Sequence, residues 1–170
     1  MDIVALLLLC ILPVMVIVAA LTDVTSMTIP NWISLVLIAA FAPAALVAGL
    51  GPVEIGLHVA IGLGALMLGV ALFALNLLGG GDAKLMAAAS LWLGLDATLV
   101  FILATAVTGG LFSLALLIVR NAGAPLAAAG PAWMGRLLQP KGDIPYGVAI
   151  AIGVLFAYPH SAIMAAFSGA

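Results

Sequence analysis

The sequence predicts an all-α fold, a polytopic membrane helix bundle of about six transmembrane helices with the fourth one short. Three observations predict it. Of 170 residues, 67% are apolar and 6% are charged, and the mean hydropathy is +1.45. A water-facing domain carries about 25% charged residues, so this surface has to be solvated by lipid. The apolar residues fall in long runs of bilayer-crossing length, and the breaks between them are sharp and rich in Gly, Pro, Asn and acids. A single membrane-embedded domain over residues 1–170 is the natural size reading.

The first run covers Ile3 to Leu21. It starts Met1-Asp2, acidic where a cleavable signal would be basic, and reads as a retained helix. A polar link from Thr22 to Asn31 leads to a second run, Trp32 to Leu50, which Gly51-Pro52-Val53-Glu54 breaks. The third run covers Ile55 to Leu78 and ends at Gly79-Gly80-Gly81-Asp82. Its glycines Gly62, Gly64 and Gly69 read as sites of close helix packing. From Ala83 to Val119 the chain is apolar except for Lys84 and Asp96, too long for one crossing. A split at Gly94-Leu95-Asp96 predicts a short fourth helix, Ala83 to Leu95, and a full fifth, Ala97 to Val119. The short helix does not span the hydrocarbon unaided, so its N-terminal end is expected to be recessed in the protein. Arg120 to Asp143 is the longest link, with Ala132 to Leu138 expected at the interface, and a last helix is expected from Ile144 to Phe167.

Charge orients this bundle. Lys84, Arg120, Arg136 and Lys141 all fall on one side of it, whereas Asp2, Glu54, His58 and Asp96 fall on the other. The positive-inside rule makes the first side cytoplasmic. Four Lys and Arg in total cannot form a basic patch, which excludes a nucleic-acid partner. The single Cys10 excludes an internal disulfide and any cysteine metal cluster. The pattern calls for no cofactor and no metal.

Membrane chains avoid acids, so each of the six here needs a reason. Asp2, Glu54, Asp96 and Asp143 have ordinary boundary positions. Asp23 and Asp82 differ, since both fall at helix ends on the cytoplasmic side, each beside a helix-breaking element. Two carboxylates held close share one proton. The ionised member takes a proton from water, and the protonated one donates to a scissile carbonyl. Gly79, Gly80 and Gly81 permit unusual backbone angles and close approach of a substrate strand. Read singly, Asp82 is also a good helix cap, Asp23 a polar exit residue, and Lys84 an interfacial charge. His58 and His160 read as interfacial or packed residues, and Asn76 as a residue without an assigned role.

In combination these residues resemble a known family. Gly79-Gly80-Gly81-Asp82 resembles the GxGD signature of intramembrane-type aspartyl peptidases. Asp23 followed by Ile29-Pro30-Asn31, Lys84 after the second aspartate, and Pro145-Tyr146-Gly147-Val148-Ala149 resemble type IV prepilin peptidases in the same order. The resemblance implies that Asp23 and Asp82 are the catalytic pair, with Gly79, Gly80, Gly81 and Lys84 as candidate substrate contacts. It implies a pilin or pseudopilin precursor as substrate and partner, cut on the cytoplasmic side of a bacterial or archaeal inner membrane. Larger members carry a cytosolic insertion with paired Cys-x-x-Cys motifs and also methylate the new N-terminus. This chain has neither insertion nor cysteines there, and is similar to the short form of Flp-type, tight-adherence pilus systems.

Three other readings make different predictions. A presenilin-like or signal-peptide-peptidase-like enzyme would place its first aspartate after a Tyr within a helix, whereas Thr22 precedes Asp23 here. A small proton- or cation-coupled transporter would use acids within the membrane, yet no acid falls mid-helix in this reading. A non-catalytic scaffold would tolerate replacement of both aspartates.

Overall fold

Buried positions on the first helix recur every three or four residues. Helix α1, Ile3–Ser26, buries Ala5, Leu9, Leu12, Val16, Ala19 and Asp23, a seam that keeps one face of a helix turned inward. Its other face, including Val14, Ile17 and Leu21, is exposed and apolar, as a lipid-facing surface requires. The structure is a computed structural model that describes residues 3–122, 131–140 and 142–168. Asp2 and Lys141 lie outside the described residues. The described elements are helical, with no strand among them.

The remaining elements are α2, Asn31–Val47; α3, Pro52–Ala74; α4, Gly80–Ala122; α5, Ala132–Leu137; α6, Gly147–Ala157; a 3₁₀ turn, Tyr158–His160; and α7, Ala162–Ser168. Helix α4 is broken at Gly94, where φ is 73° and ψ is −175°. The break is sharp: the Thr98 hydroxyl reaches the Ser90 carbonyl at 3.4 Å, although eight residues of straight helix rise about 12 Å. Counting its two limbs separately, the described residues hold six apolar helical segments, the number the sequence predicts. The first limb, residues 80–93, is about 21 Å long at 1.5 Å per residue, too short to cross a hydrocarbon core of about 30 Å.

This limb is the centre of the packing. Leu85, Ala89, Trp92 and Leu93 are buried among Leu12, Val16, Ile33, Leu37, Phe101, Ile150 and Val154. The Trp92 indole donates to the Leu37 carbonyl at 2.8 Å, holding α2 alongside it. Helix α3 touches the limb through small residues. A Cβ on Gly62 would lie 3.1 Å from Leu91 Cβ, and one on Gly69 2.9 Å from Ala83 Cβ. Gly64 faces open space, so the close-packing stripe expected on this helix excludes it. Helix α6 runs antiparallel to α1, with the Tyr158 hydroxyl on the Leu9 carbonyl at one end and Gly147 at Asp23 at the other.

Several boundaries differ from those expected by a few residues, and three of the differences have a visible physical cause. Helix α1 continues five residues past Leu21, because the hydroxyls of Thr22, Thr25 and Ser26 fold back onto carbonyls of their own helix. Asp23 is therefore on the helix rather than in a link. Helix α3 ends at Ala74 rather than Leu78. Asn76 there adopts φ 57° and Leu77 N–H bonds back to Leu72, the left-handed helix terminus that Asn tolerates. The last helix is interrupted at Tyr158–His160. Pro159 ends the regular pattern, and the Ser161 hydroxyl accepts from Met164 N–H at 3.3 Å to start α7.

Candidate active site

Met27 ends α1. Its N–H bonds to the Asp23 carbonyl at 2.8 Å and its φ is 56°, a left-handed turn that sends the chain across the start of α4. There Ile29 lies against Gly81, where a Cβ would come 3.1 Å from Ile29 Cβ. Gly79 caps α4, its carbonyl accepting Ala83 N–H at 3.0 Å. Asp82, in the first turn, reaches back so that the Gly79 amide hydrogen-bonds its carboxylate, a capping-box arrangement. A Cβ on Gly79 would sit 2.6 Å from Asp82 Oδ2, so that position admits only glycine without a shift. The close approach these glycines permit is used by the protein's own Ile29 and Asp82.

Asp23 is 6% exposed. Its Oδ2 accepts from the Gly147 N–H at 2.7 Å, an N-terminal amide of α6 that has no partner inside its own helix. Gly147 has to be small, because a Cβ there would meet Asp23 Cβ and Oδ2 at 2.9 Å. Each aspartate thus has one anchor at a helix N-terminus, where backbone dipoles favour negative charge. The two come from opposite ends of different helices.

Both line a single cavity of about 340 Å³, with Met27, Phe73, Asn76, Gly79, Asp143 and Tyr146 among its other walls. The volume is within the range of small ligand sites. Asp82 is near enough that the charge of Asp23 acts on it. Its Oδ1 is buried and has no hydrogen-bond partner among the described residues. A second cavity of about 250 Å³ runs along Met27, Thr28, Ile29 and Gly79, Gly80 and Gly81, again with both aspartates in its wall. The structure therefore brings together Asp23, Asp82, Gly79, Gly80 and Gly81. Lys84 is not among them: it is exposed, its ammonium donates to Asn31 Oδ1 at 2.9 Å, and it faces a different cavity. No cluster of three or more His, Cys, Asp or Glu suited to a metal occurs among the described residues.

Some wall residues have no role assigned from the sequence. Asn76 and Phe73 come from the end of α3, and residues 143–146 from the approach to α6. The visible signal for the latter is the Pro145-Tyr146-Gly147 opening, whose glycine is the amide donor to Asp23. His58 is a packed residue, 4% exposed, with Nδ1 2.8 Å from the Leu91 carbonyl.

Comparison with protein families matches the chain to the type IV leader peptidase family over residues 10–114. Neither comparison with curated proteins nor comparison with solved structures finds a match. The matched stretch is more than half of the chain and holds both aspartates, the Gly-rich turn and the helix break at Gly94. The chain belongs to the type IV leader peptidase family, and is an aspartic peptidase of the multi-pass membrane kind that acts on prepilin-type substrates.

Proposed function

We propose that Asp23 and Asp82 are the catalytic pair of this peptidase, and that it removes the leader of Flp-type pilin or pseudopilin precursors at the cytoplasmic face of a bacterial or archaeal inner membrane. The observation that carries this reading is that both carboxylates line the same cavity, each tethered by one oxygen to a backbone amide. One carboxylate, ionised, takes a proton from a water as that water attacks the scissile carbonyl. The other, protonated, donates to the carbonyl oxygen. Collapse of the tetrahedral intermediate breaks the C–N bond, and the proton first taken from water goes to the leaving amine. The proton is a property of the pair rather than of either residue.

The wall of Gly79, Gly80 and Gly81 opposite Met27 to Ile29 is the proposed bed for an extended leader. The cytoplasmic assignment is supported by the basic residues at this end. Arg136 donates to the Thr25 carbonyl, two residues from Asp23, and Arg120 to Gly142 and Asp143 beside the cavity. The short connection between α1 and α2 supports the short-form, Flp-type substrate class.

The test is cleavage of a co-expressed Flp-type prepilin in membranes by wild type, Asp23→Asn and Asp82→Asn, with expression of each matched. Both variants are expected to lose cleavage. Wild-type rate in either one rejects the pair.

A further inference from the structure

Arg120 ends the second limb of α4 and is 8% exposed. A buried guanidinium has to have its donors satisfied. Here Nε donates to the Leu137 carbonyl at 2.9 Å, Nη1 to Gly142 at 2.8 Å and Nη2 to Asp143 at 2.8 Å. All three acceptors are backbone carbonyls, at the end of α5 and on the irregular stretch between α5 and α6. The planar fork of a guanidinium fixes such acceptors relative to one another in a way that a point charge does not.

The clamped carbonyls lead directly into the site. Asp143 to Tyr146 form one wall of the cavity, and Gly147 then donates to Asp23. On the other side of the clamp, Arg136, next to Leu137, donates to the Thr25 carbonyl on the last turn of α1. The contacts close a ring: Arg120 to Asp143, on to Gly147, across to Asp23, along α1 to Thr25, back through Arg136 to Leu137 and Arg120. We propose that Arg120 is a positioning residue that sets Asp23 against Asp82 by holding this stretch in place. The proposal rests on the reading of Asp23 as catalytic. The competing role is orientation of the bundle by charge alone.

Arg120→Lys separates the two roles, because lysine keeps the charge but cannot reach three carbonyls. The full chain is assayed in membranes for insertion, for thermal melting and for kcat and KM on a prepilin-type substrate, with Asp23→Asn in parallel. Arg120→Lys is expected to insert as wild type does and to melt somewhat lower, because carbonyls lose partners, so kcat is taken per folded molecule. Its kcat is expected to fall between about tenfold and a hundredfold, the scale of a small misplacement of a reacting group, with KM within about twofold. Gly142→Ala supplies a second, milder lever. A Cβ there would lie 3.2 Å from the Arg136 carbonyl oxygen and 3.4 Å from Arg120 Nη2, so the clamp has to give and kcat is expected to drop severalfold. An unchanged kcat in Arg120→Lys, or a loss confined to KM, overturns the proposal. If Arg120→Lys fails to accumulate, an unchanged kcat in Gly142→Ala overturns it. An inactive Asp23→Asn beside a fully active Arg120→Lys rejects the positioning role alone, whereas a fully active Asp23→Asn rejects the catalytic pair and this proposal with it.

Discussion

The short first limb of α4, residues 80–93, has a glycine break at each end, and the two ends differ in one respect. At Gly94 the helical dihedrals fail, and His58 bonds the Leu91 carbonyl, three residues earlier, at 2.8 Å. The His58 ring fills the space, so a Cβ on Gly94 would meet it at 3.0 Å. At Gly79–Gly81 the polar residue is Asp82, and one of its oxygens is tied to the Gly79 amide. The other is buried, has no partner among the described residues and lies beside a cavity that Asp23 also lines. A buried polar group that is satisfied contributes structure. One that is left open costs stability; among the described residues Asp82 Oδ1 shares that state with the hydroxyls of Ser90 and Thr105, and of the three it alone belongs to a residue that lines the cavity with Asp23. On the proposed assignment of Asp82, the same device, a glycine break met by a polar side chain, serves architecture at one end of the limb and chemistry at the other.

The comparison breaks most visibly under Asp82→Asn. Acid–base groups contribute about 10²–10⁴ to rate, so prepilin cleavage is expected to fall at least a hundredfold while the protein still inserts and melts normally. An Asn that destabilised the fold and left the rate per folded molecule intact would make this end architectural as well. Gly147→Ala comes next. Its Cβ collides with Asp23 at 2.9 Å and displaces the carboxylate, and a loss of about tenfold to a hundredfold in kcat is expected, measured by the same cleavage assay.

His58→Ala should do the reverse at the other end. It removes the buried hydrogen bond to the Leu91 carbonyl, and a buried acceptor deprived of a partner costs about 1–3 kcal/mol. A lower melting temperature in detergent is expected, with the cleavage rate per folded molecule unchanged. A rate loss that exceeded the stability loss would couple the Gly94 break to the catalytic end and dissolve the distinction.

The sequence made the Gly94 break legible through length, since Ala83 to Val119 could not be one crossing. It made the convergence of Asp23 and Asp82 an expectation through their motifs. Periodicity carries a further signal: Asp23 continues the seam Ala5, Leu9, Leu12, Val16, Ala19, and helical spacing alone turns it inward. Polarity misplaced the end of α1, because Thr22, Thr25 and Ser26 satisfy their hydroxyls within the helix and so need no water. Proline was equally ambiguous. Pro13 and Pro43 sit inside α1 and α2, whereas Pro159 ends a helix, because Ser161 comes next to cap the following one. The wall contributed by residues 143–146 was legible only through the Pro145-Tyr146-Gly147 opening; the bonds from Arg120 and Arg136 that hold it go to backbone carbonyls, and those acceptors carry no residue-type signal.

The finest distinction lies along α3, which supports the limb from outside. Gly69 faces the turn that carries Asp82: its Cβ would come within 2.9 Å of Ala83 Cβ and 3.1 Å of Ala83 Cα. Gly69→Ala therefore has to push α3 away from the limb just beside the aspartate. Overpacking of this kind costs about 1–3 kcal/mol, and a small loss of cleavage should accompany it. Gly64, five residues earlier on the same helix, has nothing within 4 Å. Alanine there removes chain freedom without a collision, and a gain of roughly 0.5–1 kcal/mol is expected. Paired melting curves in one detergent decide between them. Opposite signs for the two substitutions mean that α3 is held by close approach at chosen glycines, and that the position of Asp82 is set partly from that side. Equal signs would mean that helix propensity alone governs α3, leaving the cap at Gly79 and the Ile29 contact to place Asp82.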